Sequence, residues 1–195
     1  MEKREQTKAF IIEKTAPLFN IKGYAGTSMS DITGVTKLTK GSVYGNFTNK
    51  VEVALAVFDY NLSKIISVLN REIESRSTAK EKLLVYGEVY ANFESYDFPT
   101  GGCPILNTAI ESDDTHPELR KKVATAINNW KKNIIKIIEK GIETKEFAQG
   151  THAEQAALTI IALVEGSTMV SKVTGKQANR TMIVTSLQNY IEQLH

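Results

Sequence analysis

The sequence predicts an all-helical (all-α) protein of about nine helices. Apolar residues recur every three to four positions along most of its 195 residues, which is the period of an amphipathic helix. Only four prolines interrupt the chain, and residues that favour helices are plentiful. An apolar content of 42% and a charged content of 24% are ordinary for a globular fold. We therefore predict a three-helix head at residues 1–50, joined through a long fourth helix to a larger helical body at residues 51–195.

The first helix is predicted to run from about Lys3 to Lys22. Pro17 lies late in this helix and removes one backbone donor, so a bend is expected there. Gly23 should end the helix, because glycine accepts a left-handed conformation without steric cost. One apolar stripe follows the helical spacing and includes Phe10, Ile11, Leu18 and Phe19.

Residues 27–50 predict two further short helices with a tight turn between them. Ser28 and Asp31 have the spacing of a capping box, which marks the start of the second helix. Ile32 and Val35 are expected to face inward from that helix.

The turn is predicted at Lys37 and Leu38, with Leu38 as a buried plug. Thr39 then caps a third helix from Lys40 to about Phe47. This helix is rich in small residues, basic at its start and aromatic at its end. Such a helix suits the DNA major groove, where base edges present a full donor and acceptor code.

The body contains the remaining six predicted helices. Their approximate bounds are Asn49–Arg76, Ala79–Tyr96, a start at Cys103–Pro104 that ends near residues 111–114, Pro117–Thr144, His152–Val173 and Gln177–Leu194. Helix eight is apolar on more sides than one core can cover, so we expect helices eight and nine to pair with a second copy of the chain. The alternative is that both helices bury their apolar residues within one subunit.

Positive charge is concentrated in the head. Residues 1–50 hold eight Lys and Arg against four Asp and Glu, whereas the remainder holds 16 against 18. A basic head suits a polyanionic partner. The N-terminus has no apolar signal core, and no uninterrupted apolar run approaches the roughly 20 residues of a bilayer span. We therefore expect a cytoplasmic protein.

The head resembles the DNA-binding domain of the TetR family of bacterial transcriptional regulators. About a dozen positions carry this resemblance at fixed spacing, namely Leu18-Phe19, Gly23-Tyr24, Thr27-Ser28, Asp31-Ile32, Leu38 to Tyr44, Asn46-Phe47 and Asn49-Lys50. The resemblance implies a helix-turn-helix head, a body that binds a ligand and forms a homodimer, and a palindromic DNA operator. A turn of Gly102-Cys103-Pro104, followed by Leu119-Arg120 and Trp130, is similar to one branch of the family.

Two positions of the head depart from the family pattern. Lys37 occupies a turn position that is usually Gly, and Thr33 one that is usually Ala. If Lys37 adopts a left-handed conformation, it costs roughly 1 kcal/mol or somewhat more relative to Gly.

The start of the third helix is expected to enter the major groove. Four residues there lie next to the base edges in this prediction, namely Thr39, Lys40, Gly41 and Ser42. The resemblance implies phosphate contacts from five others, namely Tyr44, Asn46, Lys50, Thr27 and Ser28. Two alternatives remain: Tyr44 and Phe47 are simply part of the core, and the lysines are only solvated.

Five aromatic residues on helices four, five and seven are candidates for the lining of an apolar ligand pocket, and they are Tyr60, Tyr86, Tyr90, Phe93 and Trp130. The alternative is that they form plain core.

Cys103 belongs to the same candidate pocket. Its place before a helix start would favour a thiolate, which suggests an oxidant or electrophile sensor. The alternative for Cys103 is a small side chain that fills a tight turn.

An acidic segment precedes helix seven. Glu111, Asp113, Asp114 and His116 have residue types that could hold a cation, but capping of the helix junction is the preferred interpretation. Catalysis by Cys103 with His116 or His152 has no second motif to support it. We therefore predict no enzyme activity, no metal site and no cofactor.

These observations together predict a homodimeric transcriptional regulator, a repressor that a small apolar or aromatic ligand releases from its operator. Two rival functions use the same sequence features. One is a thiol-based sensor that depends on Cys103, and the other is a helical ligand-binding protein whose head does not bind DNA.

Overall fold

The computed structural model describes residues 2–112 and 116–194, and within them the protein is entirely helical, as predicted. Its elements are α1 (Glu2–Lys22), α2 (Met29–Thr36), α3 (Lys40–Tyr44), α4 (Lys50–Glu74), α5 (Ala79–Ala91), a 3₁₀ turn (Phe93–Ser95), α6 (Pro104–Ser112), α7 (Pro117–Glu143), α8 (Ala153–Thr174) and α9 (Gln177–Glu192).

Two predicted helix ends differ from the structure by at least three residues. Helix α3 ends at Tyr44 rather than Phe47, because Gly45 caps it. Helix α5 ends at Ala91 rather than Tyr96, where Asn92 leaves the helical conformation with φ −121° and ψ 31°. The Asn92 side-chain amide also donates to the carbonyl of Glu88 at 3.1 Å, which satisfies one acceptor of the last turn.

The chain divides into two compact units. The first unit comprises Met1–Ile65 with Phe98–Ala124, and the second comprises Ile66–Asp97 with Thr125–His195. The predicted division at residue 50 separates a DNA-binding role from a ligand-binding role, and it stays a prediction.

The first unit has a core built by the three head helices, α4 and the first turn of α7. Its fully or almost fully buried members include Ile11, Phe19, Ile32, Val43, Phe47, Val53, Ala54, Val57 and Leu119. The prediction that Val35 faces inward is wrong, because Val35 is 43% exposed, and Phe10 of the apolar stripe on α1 is 39% exposed. Ile11 and Ile32 take the interior positions of α1 and α2. Leu38 is only partly buried against this core.

The second unit packs α5 against α8 and α9. Gly87 permits a close approach of α5 to α9, because a Cβ atom at this position would lie 3.2 Å from side-chain atoms of Val184 and Leu187. The rings of Tyr90 and Trp130 stack with centroids 5.8 Å apart. Stacked aromatic pairs at this distance add to the free energy of burial.

Helix α8 departs from the expectation that no segment could cross a membrane. Among the described residues, α8 is long and apolar enough to cross a membrane, judged by its length and composition alone. However, seven of its residues are buried within the second unit, among them Ala157, Ile160 and Val164. Core helices of folded domains have the same composition, so α8 is explained by its packing.

Candidate nucleic-acid interface

The start of α2 is fixed by a capping box, as the spacing of Ser28 and Asp31 predicts. The Ser28 hydroxyl accepts a hydrogen bond from the Asp31 N–H at 3.1 Å, and the Asp31 carboxylate accepts from the Ser28 N–H at 2.9 Å. Lys22 lies 2.8 Å from the other carboxylate oxygen. The hydrogen bonds from Lys22 and Ser28 hold the pKa of Asp31 far below its ordinary value.

The turn between α2 and α3 contains a left-handed residue at Lys37, the position that the family usually fills with Gly. Lys37 has φ 58° and ψ 20°, and its N–H donates to the carbonyl of Thr33 at 2.9 Å. The Thr36 hydroxyl accepts from the Leu38 N–H at 3.3 Å and donates to the Ile32 carbonyl at 2.8 Å. The turn is therefore well bonded although Lys37 is in a conformation that favours glycine.

Helix α3 presents its first turn to solvent. The Thr39 hydroxyl caps it by accepting from the Ser42 N–H at 3.1 Å. Thr39, Lys40 and Gly41 are exposed, and Ser42 is half-buried. Tyr44 is 43% exposed, and the Lys40 ammonium lies 5.8 Å from the centroid of its ring. Both side chains are therefore accessible to an anionic partner.

The structure buries Phe47 in the core of the first unit with 3% exposure. Val43 is 1% exposed on the same side of α3. These two residues fix the short helix on the core and leave Tyr44 on the outside. The alternative that Tyr44 serves only as core therefore conflicts with its exposure.

Three predicted phosphate ligands have intramolecular bonds. Thr27 is fully buried, and its hydroxyl donates to the Gly23 carbonyl at 2.7 Å. The Thr27 hydroxyl is thus enclosed in this conformation, and the contact of Thr27 with phosphate stays a prediction. The Lys50 ammonium donates to the carbonyls of Tyr24 and Thr27 at 2.8 and 2.9 Å. Asn46 donates from Nδ2 to the Ser42 carbonyl at 2.9 Å, while its buried Oδ1 has no partner.

The position of Lys50 gives it a structural role in this conformation. Its ammonium also lies 4.0 Å from the centroid of the Tyr24 ring, within the range of a cation–π contact. Its two hydrogen bonds join the carbonyls of Tyr24 and Thr27 within the α1–α2 connection. Lys50 thus holds the connection from which α2 starts.

The end of α1 and the α1–α2 connection also contact α6 and the loop before it, in pairs that the sequence did not predict. The Glu111 carboxylate accepts from the N–H groups of Tyr24 and Ala25, both at 2.7 Å. Asn20 donates to the carbonyls of Thr100 and Gly102, each at 2.9 Å. These pairs lie 80 or more positions apart in the chain, so no local pattern could reveal them.

Two family models match most of the chain. The model for bacterial regulatory proteins of the tetR family matches residues 11–57, which contain α2 and α3. The model for the tetracyclin repressor-like C-terminal domain matches residues 79–187, more than half of the chain. The chain belongs to the TetR family.

Whole-chain comparisons agree with this assignment. A TetR family transcriptional regulator from Cytophaga hutchinsonii has a solved structure that is 49% identical, covers 100% of this chain and 98% of its own, and superimposes with a TM-score of 0.96. An uncharacterized HTH-type transcriptional regulator from Lactococcus lactis subsp. lactis is 29% identical over 96% of both chains. The HTH-type transcriptional regulator TtgR of Pseudomonas putida is 27% identical over 85% of this chain and 80% of its own.

The protein is therefore a TetR-family helix-turn-helix transcriptional regulator. The family consists of transcriptional regulators and not of enzymes, which agrees with the prediction of no catalytic function. TetR regulators bind operator DNA as dimers and respond to small-molecule ligands. Membership of the branch with a Gly-Cys-Pro turn stays a prediction.

The six candidate pocket residues of this TetR regulator fall in both units. Tyr60 and Cys103 belong to the first unit, and the other four, Tyr86, Tyr90, Phe93 and Trp130, belong to the second. Tyr86, Tyr90 and Trp130 are buried, and the indole Nε1 of Trp130 is buried without an acceptor. Burial raises the pKa of Tyr86 well above its usual value, so its hydroxyl stays protonated.

Cys103 is 1% exposed, so its thiol is not accessible to an oxidant in this conformation. The burial of Cys103 favours the alternative in which its small side chain fills the turn before α6. It does not favour the prediction that Cys103 is an oxidant sensor. The proposed cation cluster is also replaced by other contacts. Glu111 bonds the α1–α2 connection, and the His116 ring packs edge-on against Tyr24 with centroids 4.2 Å apart. Asp113 and Asp114 lie outside the described residues, and residues 2–112 and 116–194 contain no group suited to a metal ion.

Proposed function

We propose that the protein is a cytoplasmic homodimeric repressor that binds a palindromic operator and leaves it when a small apolar or aromatic ligand occupies the body. The observation that carries this proposal is the exposed first turn of α3, which is capped by Thr39 and fixed on the core by Val43 and Phe47. A rigid helix start with small and basic residues can approach base edges closely.

Within this proposal, the exposed residues divide into two roles. Thr39, Lys40, Gly41 and Ser42 face the base edges, because they form the first turn of α3. Tyr44 and Ser28 contact phosphates on either side of the groove, as does Asn46 once its Nδ2 donates to a phosphate instead of to the Ser42 carbonyl. Lys50 acts on phosphate only if it releases its two carbonyl acceptors, so we assign it mainly to positioning.

Operator selection from a random DNA pool tests the DNA-binding part. The selected sites should be palindromes with half-sites about one helical turn apart. Lys40→Ala should reduce the slope of log affinity against log salt by about 1, because the positive charge that Lys40 brings to the groove releases about one counterion from the DNA. Lys132→Ala removes an exposed lysine of α7 and should leave the slope unchanged. Recovery of no palindrome, or equal slopes for both variants, would refute this part.

Support for dimerisation comes from an exposed apolar stripe on α8. Leu158, Met169 and Val173 are 48%, 44% and 81% exposed, and helical geometry places them within about 60° of one another around the axis. Met182 of α9 is 61% exposed. Large apolar side chains that recur on one face of two packed helices are typical of a subunit interface.

Light scattering after size exclusion tests this interface. Met169→Glu should convert the dimer to a monomer at micromolar concentration and abolish operator binding, because the charge would be buried in an apolar contact. Ile66→Glu is the matched control, since Ile66 of α4 is 45% exposed but lies outside the stripe. A dimer that survives Met169→Glu and also Leu158→Glu would exclude helices eight and nine as the interface.

The ligand part of the proposal rests on the buried aromatic residues of the second unit. Ligand binding there would swing the two heads through α4, so that their spacing no longer matches successive major grooves. Compounds that bind should release the selected operator in a gel shift. If compounds bind tightly but strengthen the DNA complex, the ligand is a corepressor and the release mechanism is wrong.

A further inference from the structure

Arg180 is a buried cation in the second unit. It lies in the first turns of α9 and is only 5% exposed. Its Nε donates to the hydroxyl of Ser171 at 3.0 Å, and its guanidinium carbon lies 4.4 Å from the centroid of the Phe93 ring. Charged side chains are rarely buried to this extent without a counter-charge.

No carboxylate forms an ion pair with Arg180 within the described part of the chain. Two other arginines of the same unit do have such partners, since Arg71 lies 3.1 Å from Glu72 and Arg76 lies 2.8 Å from Glu88. The Nη1 atom of Arg180 is buried and bonds no acceptor; Arg76 also has a buried nitrogen without an acceptor, Nε, but its charge is paired with Glu88. Burial lowers the pKa of Arg180, and the negative charge of Glu94 opposes this effect only in part.

The neighbouring polar groups do not compensate the charge. Three buried hydroxyl residues lie on α8 in the same unit, namely Ser167, Thr168 and Ser171. Each hydroxyl donates its hydrogen to a carbonyl of its own helix. They are neutral, and only the Ser171 oxygen accepts from the guanidinium. One charge-assisted hydrogen bond of Arg180 thus remains to be made inside the unit.

We propose that Arg180 binds the carboxylate of an anionic ligand whose apolar part packs against Phe93. This inference rests on the proposed function, because it names the chemical class of the ligand that releases the operator. A carboxylate oxygen would accept from Nη1 and supply the missing negative charge. Phe93 would contribute its ring to the apolar part, and Ser171 keeps the guanidinium in position through Nε.

Isothermal titration calorimetry of the full-length protein without DNA tests the proposal. The probes are two carboxylates, octanoate and 4-phenylbutyrate, and their uncharged analogues octan-1-ol and 4-phenylbutan-1-ol, at constant ionic strength. In the natural protein, at least one carboxylate should bind ten or more times as tightly as its alcohol. This comparison needs no variant, so it does not depend on a mutant that folds.

Two arginine variants make the assignment specific. Arg180→Gln should weaken carboxylate binding at least tenfold and leave alcohol binding within twofold, whereas Arg180→Lys should retain part of the preference. Arg76→Gln is the control, because Arg76 already has the Glu88 carboxylate, and it should bind the carboxylates normally. Equal affinity for acid and alcohol, no carboxylate binding at all, or unchanged binding by folded Arg180→Gln would each overturn the proposal.

The same probes separate this proposal from the repressor function. If a carboxylate binds through Arg180 but does not release the selected operator, the release mechanism fails and the assignment of Arg180 stands. If only the alcohols bind and release the operator, the repressor function stands and the assignment of Arg180 fails.

Discussion

The substitution Lys37→Gly should stabilise the DNA-binding head. Lys37 ends α2 in a left-handed conformation with φ 58°, which brings its Cβ close to the following carbonyl oxygen. A glycine at this position has no Cβ and can keep the hydrogen bond from its N–H to the Thr33 carbonyl at 2.9 Å. The side chain of Lys37 is exposed.

The expected gain follows from two opposing effects. The left-handed conformation costs a non-glycine residue roughly 1–2 kcal/mol. Glycine increases the conformational entropy of the unfolded chain, which lowers the free energy of unfolding by about 0.4–1 kcal/mol. The net increase in the free energy of unfolding should therefore lie between about 0 and 1.6 kcal/mol, with a central value of about 0.8 kcal/mol, or roughly 2–3 °C in Tm for a chain of this length.

Urea unfolding and amide hydrogen exchange measure this gain. Lys37→Ala is the matched control, because it removes the charge but keeps Cβ, and it should change stability by less than about 0.5 kcal/mol. Lys145→Gly relieves the other left-handed lysine, at φ 63°, in the second unit, so it should not slow exchange in α2. If Lys37→Gly destabilises the head, or if Ala and Gly act alike, the cost assigned to Cβ at this turn is wrong.

Three further predictions concern single contacts. Glu111→Ala should lower the free energy of unfolding of the first unit by about 2 kcal/mol in urea, because it removes two short bonds to backbone N–H groups, while Glu118→Ala at an exposed site should not. Gly141→Ala should cost about 1–3 kcal/mol by the same measurement, because its Cβ would overlap the Phe147 ring; a neutral result would mean that the ring can move away. Asp31→Asn should flatten the loss of stability between pH 5 and pH 2, since the lowered pKa of Asp31 stabilises the fold above its unfolded pKa of about 4 and this contribution is lost as pH falls; an unchanged profile would contradict its ion pair with Lys22.

Local features of the head were predictable because they depend on neighbours in sequence. The capping box of α2 needs only Ser28 and Asp31, three positions apart, and the cap of α3 needs only Thr39 and its following N–H groups. The left-handed turn at Lys37 followed from the position that its relatives usually fill with Gly. Each of these features is decided within one turn of helix.

The burial of individual side chains was predicted less well, because a stripe of apolar residues does not indicate which of its members face the core. Phe10 and Ile11 are adjacent and both apolar, yet their exposed fractions are 39% and 0%. Adjacent helical residues differ by about 100° in direction, so an error of one position moves a side chain from core to surface. Val35 was assigned inward for the same reason.

Long-range polar contacts could not be predicted at all. Lys40 and Lys50 look equivalent in sequence, but Lys40 is exposed and the Lys50 ammonium bonds two carbonyls. The burial of Arg180 could not be predicted from the sequence either, since a lone arginine at the start of a helix is usually solvated. Only the fold shows which cation has a partner, which is why the proposed ligand chemistry comes from the structure.

The contacts of the α1–α2 connection bear on how DNA affinity could be controlled. Glu111 on α6 bonds Tyr24 and Ala25 immediately before α2, and a Cβ atom at Gly23 would lie within 3 Å of that carboxylate. Hydrogen bonds of 2.7 Å to two adjacent N–H groups fix the carboxylate closely, so a shift of α6 by about 1 Å would break at least one of them. The start of α2 therefore depends on α6 as well as on α4 and its Lys50. A ligand that moves α6 would act on the DNA-binding helices even before α4 swings. Gly23→Ala should break the same hydrogen bonds of Glu111 without ligand, because the added methyl group displaces the Glu111 carboxylate.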